Sequence, residues 1–234
     1  MTPDHVVGMV PQVIADDRDY YAGNLAYYFR ILFREGEKNP GGYHGGVRHP
    51  LHATVLFYKA LAFYWDRVDE AGRSLRIDPE KARDGMIGML WHDIKHSLGK
   101  TSDDENINRS VAFLYEEGHP SDCLRFPRIA RVMWATRFPY DKIPDAELNR
   151  IQGIARDADG GQAYDHAWLD LILFGLGSEI KKTPTEMLDM QPGFLKGRIP
   201  CTTWGRAEFS PAVVEAKIVE AMRIRALLDP ARYP

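Results

Sequence analysis

The chain has 234 residues, 44% of them hydrophobic and 27% charged, a balance that excludes wholesale disorder, collagen-like repetition and low complexity and requires a buried core. Thirty Lys and Arg against thirty-three Asp and Glu leave a formal charge of −3, so there is no global attraction for a nucleic acid polymer or an anionic membrane. Cys123 and Cys201 are too few for a disulfide framework, and a single bridge stays open. No apolar run approaches the roughly 20 residues needed to cross a bilayer, and no cationic flank precedes an apolar stretch at the start. The expectation is a soluble, cytoplasmic protein.

Apolar spacing is helical almost throughout, which predicts an all-α fold. A first helix is expected over Asp16 to Arg34, with Tyr20, Leu25, Tyr28 and Ile31 on one stripe, ending at the turn-rich GEKNPGG. A second runs from Pro50 to Val68 on Leu51, Val55, Tyr58, Leu61 and Ala62. Asp78 reads as an N-cap with Pro79 in the first turn, launching a third helix through His92 and Asp93 toward Leu98. Asp104 to Glu117 and Pro127 to Phe138 supply two more, and Pro144 to Leu176 a long segment that Gly160 and Gly161 can bend. After Gly177 the Pro, Gly and Thr content predicts an irregular stretch, and Ser210 with Pro211 starts a closing helix to Leu228. No fixed-period repeat is present, so a solenoid is excluded. The organisation expected is an N-terminal helical extension over 1–42, a main helical core over 43–177, and an irregular loop with a closing helix over 178–234.

Four of the eight histidines, His44, His49, His52 and His92, fall near predicted helix ends, and His96 lies one turn past His92. On helices, His49 with His52 and His92 with His96 each project from one face. Imidazole and carboxylate groups drawn from separate helices suit a divalent transition ion in a bundle core. Asp157 and Asp159 stand about 200° apart around a helix of 3.6 residues per turn, so only one of them can reach a given ion. Asp159 is preferred and Asp157 is the alternative. Trp91 is expected to pack the ligand helix on its neighbour. Tyr20, Tyr21, Tyr27, Tyr28, Phe29 and Phe33 read as core, and Phe138, Tyr140, Phe194 and Trp204 as candidates for a pocket mouth. No GxxxxGK loop, CxxC pair or GxSxG elbow occurs, which disfavours a P-loop enzyme, a zinc ribbon and an α/β-hydrolase.

Taken in order, YHGGVRHPLHATV, WHDIKHSLG and ARDADGG resemble the HD superfamily of metal-dependent phosphohydrolases over roughly Tyr43 to Leu176. The resemblance implies His52 as the first metal ligand, His92 and Asp93 as the His-Asp pair, and Asp159 as the last. HDIKHSLG is similar to the HDxxHxG segment of cyclic-nucleotide phosphodiesterases, with His96 serving a second ion or the nucleophilic water. The tyrosine-histidine opening is also similar, although His44 and His52 are eight residues apart rather than four. The general acid is therefore either His44 or His49. DDENINRS resembles an acidic segment of other superfamily members and implies Asp104 and Glu105 as outer or second-ion residues.

The implied activity is hydrolysis of a phosphoester, most plausibly in a nucleotide, with one or two ions of Mn, Mg, Fe, Co, Ni or Zn. Phosphate charge requires cations, for which Arg48, Lys95, Lys100, Arg109 and Arg137 lie near in sequence. The rival expectations are a di-iron oxygenase on the same scaffold, which needs further histidines such as His119, and a non-catalytic nucleotide-binding module. A homodimer through the terminal helices is compatible with the chain, though no heptad marks one.

Overall fold

A computed structural model describes residues 18–38, 43–140 and 143–228, with side chains of the first helix from Leu25 onward. The start expected at Asp16, the side chains of Tyr20 and Tyr21, and most of the GEKNPGG turn lie outside the described residues. The protein is all-α, and among the described residues the only β feature is an isolated bridge between Val68 and Ser74. The helices are α1 (Arg18–Lys38), α2 (Arg48–Trp65), α3 (Pro79–Trp91), α4 (Asp103–Glu117), α5 (Phe126–Ala135) and α6 (Arg150–Gly161). A π-helical stretch, Leu169–Leu176, then leads into a single turn, Gly177–Glu179, and α7 (Pro184–Gly197), α8 (Thr203–Glu208) and α9 (Pro211–Leu227) follow.

The third helix is the axis of the bundle, packed by α1, α2, α5 and α6. Its start is as predicted, for the Asp78 carboxylate accepts the Lys81 N–H and Pro79 opens the first turn, satisfying groups a helix end leaves bare. Everything from Ala82 to Trp91 is buried. That burial requires small residues at two crossings: a Cβ on Gly85 would stand 2.2 Å from Phe57 Cζ, and one on Gly88 2.8 Å from Val132 Cγ1. Trp91 is fully buried as expected and donates its indole N–H to the Tyr28 carbonyl.

Three predicted elements are corrected. The second helix begins at Arg48 and buries His49, Ala53, Leu56, Phe57, Ala60, Leu61 and Tyr64, while Val55 and Ala62 face outward. The third stops at Trp91, and His92 to Lys95 form turns that end with Leu98 and Gly99 at φ 57 and 77. The stretch expected to be irregular after Gly177 contains α7. Its start is a capping box in which Thr183 Oγ1 accepts the Glu186 N–H and Glu186 accepts the Thr183 N–H, supplying partners for end groups that Pro192 and Gly193 do not cancel.

The main core runs from Leu25, Tyr28 and Leu32 of α1 through Leu90 and Ile154 to Ile218 of α9. A smaller cluster joins Tyr43, Trp168, Leu171, Met187 and Ala221. Both cysteines are free, and no helix among the described residues is long and apolar enough to cross a membrane.

Candidate metal centre

Four side chains converge where α2, the end of α3 and α6 meet. His49 is the second residue of α2, His92 caps α3, Asp93 follows it, and Asp159 projects from the last turn of α6. The Nε2 atoms of His49 and His92 are 2.9 Å apart. Asp93 Oδ2 lies 3.0 Å from each of them, and Asp159 Oδ1 lies 3.3 Å from His49 and 3.2 Å from His92. Donors at right angles on an ion with bonds of about 2.1 Å are separated by about 3 Å, so these five distances fit one cation.

The hydrogen bonding around the four agrees. His92 Nδ1 lies 2.8 Å from the Met89 carbonyl, which can only accept, so its proton sits on Nδ1 and its Nε2 lone pair points inward. Asp93 Oδ1 is buried with no hydrogen-bond partner, an expensive position for a carboxylate oxygen that lacks a neighbouring cation.

Without an ion, protons take over that role. Burial opposes a charged His49, but the hydrogen bonds it donates to Asp159 and Asp93 prevail and push its pKa up to about 9. His92 is also raised well above its ordinary value, burial again being outweighed, there by Asp93 and Asp159. Burial alone would raise Asp93 and Asp159; the two imidazoles hold both below the usual carboxylate range.

The structure thus gathers His92, Asp93 and Asp159 but replaces His52 with His49. Three residues further along α2, His52 is displaced by about 4.5 Å and rotated by about 60°, and its Nε2 meets Asp165 Oδ2 at 3.1 Å. Asp157 occupies the opposite face of α6 from Asp159. It accepts the Thr202 hydroxyl at 2.6 Å and the N–H groups of Cys201 and Thr202, so it anchors the α7–α8 connection.

The other expected residues divide in the same way. His44 and His96 are at the centre, with rings stacked at 3.8 Å between centroids. Arg48 pairs with Asp170 at the surface, and Lys95 pairs with Glu35 at 2.6 Å over the Phe113 ring. Lys100, Glu105 and Arg109 are exposed and do not reach the cavity. Asp104 pairs with Arg137, and His119 caps the 3-10 turn Pro120–Arg125.

Two residues not singled out from the sequence complete the arrangement, one of them, Asp103, being the first residue of the DDENINRS segment. Glu179 accepts the His44 backbone N–H at 2.6 Å and faces His44 Nδ1 at 2.7 Å. A carboxylate can only accept, so the Nδ1 proton is fixed and Nε2 is left toward Asp93 Oδ2, 3.9 Å away. Asp103, the first residue of α4, faces Asp93 and His96. Burial and the charge of Asp93 push its carboxyl up to about 6. His96 Nδ1 accepts the Leu98 N–H at 3.1 Å, so the neutral ring carries its proton on Nε2. Burial, reinforced by His44, lowers its pKa to about 4.

These groups form one end of a cavity of about 420 Å³. Phe138, Tyr140 and Phe194 line it as expected, whereas Trp204 is buried in the core, where its backbone N–H donates to the Tyr64 hydroxyl. Comparisons of the chain with protein-family models, curated proteins and solved structures returned no match. On geometry alone, the His49, His92, Asp93 and Asp159 group can hold a metal ion and is compatible with an HD-type site.

Proposed function

We propose that the protein is a divalent-metal-dependent phosphohydrolase acting on a phosphoester through an activated water. The observation that carries this reading is the juxtaposition of four inward-facing ligand atoms with His44, whose tautomer Glu179 fixes, at the end of one cavity. A divalent ion held there lowers the pKa of water and polarises a phosphoryl oxygen. His49, His92, Asp93 and Asp159 are assigned to hold it.

The chain's own groups manage the protons. Water oxygen bonds to phosphorus, the ester P–O bond breaks, and the leaving alcohol oxygen takes a proton from Nε2 of His44, whose Nδ1 side Glu179 holds in place. Of the two candidate acids, His44 suits this role and His49 does not, because His49 Nε2 is committed to the ligand cluster. Asp103 is positioned to take the proton that the attacking water loses. With Nδ1 satisfied by Leu98, His96 presents Nε2–H as a donor to a phosphoryl oxygen.

The test is metal analysis of the purified protein together with phosphate release from a panel that includes nucleoside monophosphates and 3′,5′-cyclic nucleotides with Mn²⁺. Asp93→Ala is expected to abolish metal-stimulated release with helical content nearly intact, and His44→Ala to lower kcat by roughly 10²–10⁴-fold. Full activity in Asp93→Ala overturns the proposal. The gathering of four histidines, His44, His49, His92 and His96, favours one second reading, an oxygen-using di-iron enzyme. Stoichiometric iron with oxygen uptake and no phosphate release reverses the ranking.

A further inference from the structure

The character of the cavity bears on what enters it. No Lys or Arg is among the described residues that line it. The charged groups there, beyond the histidines, are four carboxylates: Asp93, Asp103, Asp159 and Glu179. The nearby cations Arg156 and Arg198 lie behind the lining, and the charge of Arg198 acts on Asp159 from there. Arg156 donates to the carbonyls of Ala135 and Ile143 and to Asp145. Arg198 donates to the carbonyls of Arg156 and Asp157, and its remaining Nη1 is sealed from solvent behind Gly160.

Four ionised carboxylates contribute about −4, so one divalent ion leaves about −2 and two leave about 0. Neither state neutralises a phosphate group fully, and with no lining Lys or Arg to help, the three or four charges of a nucleoside di- or triphosphate are opposed more strongly than the two of a monophosphate. Away from the carboxylates the walls are mostly apolar, formed by Phe138, Ile172, Leu176, Met187 and Phe194, with Thr101, Asn106, Thr136, Tyr140 and Gln191 as uncharged polar lining, and the volume is that of a site for one small molecule.

From this charge balance and these walls, we infer that the substrate is a compact monophosphate ester whose alcohol part is an apolar ring or branched chain, not a nucleoside di- or triphosphate. The phosphoryl half of this statement rests on the hydrolase reading; the apolar half rests on the walls alone.

The two halves are separable with full-length, Mn²⁺-loaded protein. Binding of 1-naphthylmethylphosphonate, methylphosphonate and a non-hydrolysable ATP analogue is measured by calorimetry, and hydrolysis of 1-naphthyl phosphate and ATP by phosphate release. Naphthylmethylphosphonate is expected to bind at least about 10-fold tighter than either competitor, since its ring leaves water for the apolar walls. Met190 and Ile180 line the cavity while remaining 52% and 41% exposed. Met190→Lys and Ile180→Lys therefore add a cation with little damage to the fold, and each is expected to narrow the preference over the ATP analogue several-fold. An ATP analogue that binds as tightly as the naphthyl compound, a methylphosphonate that does so, or no binding of the naphthyl compound overturns the inference. Tight naphthyl binding without hydrolysis of either ester sinks the hydrolase reading and leaves the apolar class standing. Efficient ATP hydrolysis does the reverse.

Discussion

The assignment of His49 rather than His52 as an ion ligand makes a prediction with a calculable size. Free Mn²⁺ at 100 times its Kd stabilises the folded protein by about 2.7 kcal/mol. For a chain of this length that raises Tm by roughly 5–10 °C, at about 2–4 °C per kcal/mol. Losing a group that merely orients a ligand already weakens metal binding about 10–100-fold, so His49→Ala, which removes a donor atom itself, should weaken it at least about 100-fold. At the same free Mn²⁺ the ratio of ion to Kd falls to about 1, and the stabilisation to about 0.4 kcal/mol, a Tm rise of about 1–2 °C. His52 is bonded to Asp165, outside the ligand group, and His52→Ala should retain the full rise. The assay is thermal denaturation of each variant with EDTA and with Mn²⁺. Because the shift is a difference within one variant, any change in the baseline stability of His49→Ala cancels. A full Mn²⁺-dependent rise in His49→Ala, or its disappearance in His52→Ala, refutes the assignment.

Four further outcomes follow from the geometry. Capturing an ion requires neutral imidazoles, whereas His49, raised to about 9, and His92, also raised, hold protons at pH 7 without one; calorimetry in buffers of different ionisation enthalpy should find about one to two protons released per ion, and none released refutes the account. The same His49 shift stabilises the EDTA-treated protein fully below about pH 6.5. That stabilisation is lost as pH rises through about 9, so the EDTA-treated Tm should fall between pH 7 and 9, and a flat profile counts against it. Asp122 is buried between Arg83 and the Tyr28 hydroxyl; removing one member of such a pair costs about 3–5 kcal/mol, so Asp122→Ala should lower Tm by roughly 6–20 °C, and a loss below about 1 kcal/mol in urea denaturation contradicts the pairing. Gly85→Ala should cost about 1–3 kcal/mol by forcing a Cβ into Phe57, while Gly193→Ala, which meets nothing within 4 Å inside α7, should be neutral or stabilising by up to about 1 kcal/mol; chemical denaturation that reverses this order refutes the packing.

What was legible in the sequence was local. The Asp78–Pro79 start of α3 needs only atoms within one turn, and it is where the residues indicate. Asp159 and Asp157 had to face opposite ways because the helix period allows nothing else. The capping box from Thr183 to Glu186 was equally local, but Pro192 and Gly193 obscured it as breakers although they lie well inside the helix. His49 and His52 sit on nearly the same face of one helix, and only the packing of α2 against α3 and α6 decides which ring meets His92. Glu179 and His44 are 135 positions apart, and the intervening π-helical stretch has no distinctive pattern of apolar residues to fix where that glutamate emerges. The cations near the motifs misled for a related reason: proximity along the chain says nothing about partners such as Asp170 and Glu35, which neutralise Arg48 and Lys95 on other faces.

The separation between Asp159 and Glu179 along the backbone divides two duties that enzymes often entangle. Every donor atom proposed for ion capture is in place by position 159, while the carboxylate that sets the tautomer of His44 arrives only after the wide turns of Leu169–Leu176. On the proposed mechanism, changes in that later span would alter how His44 is held while leaving the four proposed donor atoms themselves unchanged.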